Sequence, residues 1–198
     1  MSRFQGKVTM TLRGPETKAT PIGNAPAEGE WVGILLKLGT FLPHLPTSRL
    51  VDGAVDLPTA SSNSFWLGGS VWQFPDYANA DIFVELLVRE GLLLRDPLVE
   101  AALQGQLKDL SQRAVQYRFL QATGITQSTA RQIERARYAT LLLQQGVSIL
   151  DTIQQAGYYD QPHLTRSLGR FIGQTPAQLF HHDRPEQLSF LYKTTPFP

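Results

Sequence analysis

Within the ten residues from Gln161 to Arg170 the chain places Gln161, His163, Thr165, Arg166 and Arg170. Arginine can pair bidentately with guanine, and glutamine with adenine; histidine and threonine offer further donors and acceptors to base edges or phosphates. The same residue types would serve equally well as the solvated face of an ordinary helical hairpin. Which reading applies depends on the elements that carry them.

Those elements are legible over Asp151–Leu179. Ile153 and Ala156 lie three apart on one face of a first helix, and Gly157 is placed to end it in a left-handed conformation. Asp160 is placed to cap a second helix, with Pro162 in its first turn. Leu164, Leu168 and Phe171 give that helix one apolar stripe, and Gly173 stops it. Thr175-Pro176 opens a short third helix. The pattern is a helix-turn-helix whose second helix has a polar, cationic outer face. Such a helix fits the major groove, with its N-terminal residues at the base edges.

The wording of this stretch adds to its pattern. Gly157-Tyr158-Tyr159-Asp160, His163-Leu164-Thr165-Arg166 and Gly173-Gln174-Thr175-Pro176 closely resemble the signature of AraC-type (AraC/XylS) transcriptional regulators. A second stretch is similar to the first helix-turn-helix of that module, in Ser111, Arg113, Val115 and Phe119, with Gly124 as the stop. An internal repeat supports the pairing. At an offset of 49, Val115 aligns with Leu164, Tyr117 with Arg166, Phe119 with Leu168, Gly124 with Gly173 and Thr126 with Thr175. Between the copies, Thr126–Gln145 reads as one long helix with Ile133, Ala136, Thr140 and Leu143 inward.

The resemblance implies base contacts from Arg113, Gln116 and Tyr117 in the first copy, and from Gln161, His163, Thr165 and Arg166 in the second. It implies phosphate contacts from Arg118, Arg131 and Arg170. Arg135 and Arg137 read equally as a solvated face. Tyr117 stands where the family usually has an arginine, and Gly169 where a lysine is common. The implied partners are double-stranded DNA and RNA polymerase, with a small-molecule effector and a homodimer left open. The implied setting is the bacterial cytoplasm, in association with the nucleoid.

The N-terminal half is less explicit. Phe4, Val8, Met10 and Leu12 suggest strand, Thr20–Glu30 a loop, and Trp31–Leu38 a short buried strand. Ser61–Pro75 reads as irregular and aromatic. Trp31, Phe65, Trp66 and Trp72 could line an effector pocket, or simply form the core of a small domain. A weaker similarity to the sensor-like region of some AraC relatives runs through Gly33–Gly39, Leu50, Asp52 and Leu57-Pro58. Asn79–Leu94 reads as a helix, and Asp96-Pro97 opens the next, which Gly105 ends.

Charge agrees with this division. Residues 1–107 hold 8 Lys and Arg against 11 Asp and Glu, whereas residues 108–184 hold 9 against 5. A basic C-terminal part suits a nucleic-acid partner, although the excess is modest. The absence of cysteine excludes disulfides, thiolate zinc sites and cysteine nucleophiles. No cofactor, metal or catalytic residue is expected, and no apolar run reaches membrane-spanning length. The expected fold is α+β. A sensor-like regulatory domain covers residues 1–80 and a connecting helix 81–95. An all-α domain of two helix-turn-helix units joined by a long helix covers 96–184, followed by a tail over 185–198. The rival readings are a helical protein-interaction module and a DNA-repair enzyme built on the same module.

Overall fold

The computed structural model describes residues 1–20, 29–107 and 110–181. The chain is of the α+β class, with a small strand-rich region followed by a helical one. It divides into two compact units, Met1–Pro15 with Asn24–Gln127, and Glu16–Gly23 with Ser128–Pro198. The expected double domain over 96–184 therefore contributes to both. The tail expected over 185–198 and most of the Thr20–Glu30 loop lie outside the described residues. Among the described residues no helix is long and apolar enough to cross a membrane.

In the first unit, β1 (Ser2–Phe4) pairs antiparallel with β2 (Lys7–Thr9) and with β4 (Glu30–Trp31). β3 (Thr11–Arg13) pairs with β6 (Ala54–Asp56). β5 (Thr40–Phe41) pairs with β10 (Leu94–Arg95). β7 (Thr59–Ser61), β8 (Ser64–Leu67) and β9 (Ser70–Gln73) form a meander. α1 (Ala80–Arg89) packs over the core, and α2 (Pro97–Leu103) and α3 (Gln112–Thr123) follow. The core holds Val8, Met10, Leu42, Phe65, Leu67, Phe74, Leu87, Leu92 and Leu93. Phe65 is its centre, with the Phe74 ring 5.2 Å away and that of Phe83 6.2 Å away.

Three expectations about this unit fail. Ser61–Pro75 is not irregular. Phe65 and Leu67 point inward and Trp66 outward, the period-two alternation of a strand. Gly68 and Gly69 supply the consecutive positive φ angles, 61° and 81°, of a two-residue hairpin turn. Trp31–Leu38 is not a buried strand. Only Glu30 and Trp31 join the ladder, and past the bond from the Val32 N–H to the Met1 carbonyl the segment has no regular pairing. Leu35 and Leu36 are accordingly exposed. The helix expected over Asn79–Leu94 also ends early, at Arg89, because Gly91 turns the chain with φ of 68° and the Leu92 N–H bonds back to the Leu87 carbonyl; Leu94 then joins β10.

The second unit contains α4 (Gln127–Gln144), of which Ser128 onward belongs to it, then α5 (Ile149–Gln155), α6 (Gln161–Phe171) and α7 (Pro176–Phe180). Residues 16–20 join them. The Ala19 N–H donates to the Arg170 carbonyl at 2.6 Å, which satisfies one of the backbone acceptors left unpaired at the end of α6.

Candidate nucleic-acid interface

Local chemistry sets α6 in place. Ser148 caps α5 by accepting from the Asp151 N–H at 3.1 Å, and Asp160 caps α6 by accepting from the His163 N–H at 2.7 Å. Leu164, Ser167, Leu168 and Phe171 are buried, so the opposite side of α6 faces out. Gln161, Arg166 and Arg170 are exposed there, and His163 and Thr165 are half-buried.

The five expected contact residues of this helix are not equally available. Arg166 makes no ion pair among the described residues. The Thr165 hydroxyl donates to the Gln161 carbonyl at 2.9 Å, within its own helix. His163 turns its ring edge-on to Tyr158, with centroids 5.1 Å apart. Arg170 donates through Nε to the Thr17 carbonyl at 3.3 Å, and its guanidinium lies 4.9 Å from the Phe171 ring centroid. Arg170 is thus engaged by residues 16–20, a link across 153 positions that no local signal announces.

A buried polar chain fixes the turn before α6. The Tyr158 hydroxyl and Ser167 Oγ are 2.9 Å apart, both side chains being buried. The Arg135 guanidinium, from α4, lies 4.7 Å from the centre of the Tyr158 ring. Arg135 is therefore a packing residue, where the sequence left it between a phosphate contact and a solvated face. Burial raises the Tyr158 phenol pKa, against the opposing pull of the Ser167 hydrogen bond and the Arg135 charge. We expect Tyr158→Phe to cost about 1 kcal/mol, because Ser167 is left buried without its partner. Tyr158→Phe with Ser167→Ala should recover most of that loss. Urea midpoints check this, and a double variant as unstable as the two losses summed would contradict it.

In the first unit, Ser111 caps α3 by accepting from the Ala114 N–H at 3.3 Å, and Val115, Phe119, Ala122 and Thr123 are buried. Arg113, Gln116, Tyr117 and Arg118 are exposed. Arg118 is committed elsewhere. Its Nη2 donates to both carboxylate oxygens of Asp96, at 2.9 and 3.0 Å, and Asp96 also caps α2 through the Leu98 N–H. This ion pair ties α3 to α2 and neutralises a cation expected to grip phosphate. Gly124 ends α3 with φ of 76°, and a side chain there would meet the Thr47 carbonyl oxygen at 2.9 Å. Arg131 is exposed near the start of α4 and has interactions of its own.

The repeat holds position by position within each unit. Val115 and Leu164 are buried, Phe119 and Leu168 fully so, and Gly124 and Gly173 have φ of 76° and 80°. Tyr117 and Arg166 are exposed at equivalent places. Residues 108–182, from just before α3 to just past α7, match the family model described as a helix-turn-helix domain. Residues 108–182 are an AraC-type helix-turn-helix domain. It is a DNA-binding domain of transcription regulators. Comparison with curated proteins and with solved structures gave no match.

The AraC-type domain takes in α3 to α7, while α2 lies before the matched residues. The aromatic set that the sequence offered as an effector pocket is dispersed. Phe65 is sealed in the core with no exposed surface, and Trp72 sets its ring edge-on to Phe83 and donates to the Leu67 carbonyl at 3.1 Å. Trp31 and Trp66 are each 45% exposed. A shallow open groove on this unit is lined instead by Gly33–Leu36 and by Ala80, Asp81, Val84 and Glu85 of α1.

Proposed function

We propose that this chain is a sequence-specific transcriptional regulator that reads two adjacent major grooves, one with α3 and one with α6. The observation that carries the reading is the repeat: each helix buries its Val/Leu and Phe/Leu stripe and exposes the aligned Tyr117 or Arg166. In this reading Arg113, Gln116 and Tyr117 meet bases in one groove, and Gln161, His163, Thr165 and Arg166 in the next. Arg131 and the first-turn amides of the helices meet phosphates. Arg118 and Arg170 act mainly by holding their helices, given their partners at Asp96 and Thr17. α4, 18 residues long, is about 27 Å of helix. In the chain it lies between the two readers, which the reading requires to stand about 34 Å apart. Modulation through the N-terminal region by a small effector or by dimerisation, contact with RNA polymerase and a nucleoid location complete the reading as what the family implies. No catalytic step is assigned.

Selection of bound sites from random duplex DNA tests the proposal. At about 0.15 M salt the reading predicts a two-part motif with half-sites centred about 10 base pairs apart. A single half-site would remove α3 as a reader, and no enrichment would favour a protein partner.

A further inference from the structure

We propose that Leu120 reads the methyl group of a thymine in the half-site bound by α3; this rests on the two-groove reading above. The side of α3 away from Val115, Phe119 and Ala122 carries Arg113, Gln116, Tyr117, Leu120 and Gln121, all exposed, Leu120 by 43%. Seven residues are nearly two helical turns, so Leu120 lies within about 20° of Arg113 around the axis, with Gln116 between them. Arg118, the other cation of the helix, is held by Asp96 at 2.9 and 3.0 Å. The outward side therefore offers one cation, two amides, one phenol and one aliphatic group.

An isolated exposed leucine is ordinary on a protein surface. This one is the sole aliphatic member of an outward face whose other members, Arg113, Gln116, Tyr117 and Gln121, have the chemistry of base readers. The major-groove edges present polar donors and acceptors and one apolar group, the thymine C5 methyl. Arginine and glutamine suit the polar groups, and an aliphatic side chain suits only the methyl. The aligned position in the second copy is Gly169, which has no side chain to make such a contact. The two half-sites should therefore differ, with a methyl-dependent thymine in the one bound by α3 and none supplied by position 169 in the other.

The test uses the full chain and the duplex obtained by selection. Each thymine of the half-site bound by α3 is replaced in turn by deoxyuridine, which removes only the methyl. Wild-type affinity should fall about fourfold at one position, the effect of taking one methyl out of contact. Leu120→Ala should bind the thymine and deoxyuridine duplexes equally, and should fold normally because the side chain is exposed and alanine favours helix. No sensitive thymine, or full discrimination retained by Leu120→Ala, overturns the assignment while leaving the two-groove reading in place. A selected motif that lacks this half-site overturns both.

Discussion

Arg166→Ala should weaken binding to the selected duplex by about 1–3 kcal/mol while changing affinity for random DNA much less. Arg166 is exposed on α6, opposite the buried Leu164, Leu168 and Phe171. Its guanidinium is free of the ion pairs that occupy Arg118 and Arg137. It can therefore present its donor fork to a guanine edge without first breaking a contact. An arginine that only neutralised a phosphate would instead lower both affinities together and reduce the salt slope by about 1. Competition binding at two salt concentrations separates the cases. Equal losses on selected and random duplexes would remove Arg166 as a base reader.

Leu164→Ala should have the largest effect on stability, about 2–5 kcal/mol. Leu164 is fully buried on α6, in the first turn after the Asp160 cap, with Leu168 and Phe171 continuing the stripe. Truncation loses the transfer free energy of the removed atoms and leaves a cavity that neighbours fill only in part. The helix cap and the Tyr158–Ser167 hydrogen bond remain, so the loss is one of packing. Urea unfolding should show a lower midpoint with little change in slope. Affinities for selected and random DNA should then fall together, in contrast to Arg166→Ala. A shift under about 0.5 kcal/mol would mean that the site is not close-packed.

Much of the helical frame that carries the candidate interface was legible because its signals are local. Asp96-Pro97, Ser111, Asp160 and Thr175-Pro176 each cap the helix that follows, and the Thr175 cap is reciprocal with Gln178. α4 was expected over Thr126–Gln145 and runs over Gln127–Gln144. What the sequence hid is non-local. The Arg118–Asp96 pair spans 22 positions and the Arg170–Thr17 bond 153, so nothing near either arginine marks it as occupied. The N-terminal half suffered most, since short strands take their identity from partners: β3 finds β6, and β5 finds β10, across long intervals. The meander was the exception that could have been read. Its Gly68-Gly69 pair between Leu67 and Ser70 is a hairpin signal that the density of aromatics obscured.

The central claim is that one chain reads two successive grooves, and changing the spacing between them tests it most directly. Inserting about 5 base pairs, half a helical turn, between the selected half-sites moves one of them to the opposite face of the duplex. Two joined readers predict that affinity falls to that of a duplex carrying one half-site. Affinity unchanged by the insertion would show that a single helix carries the recognition, and would contradict the account.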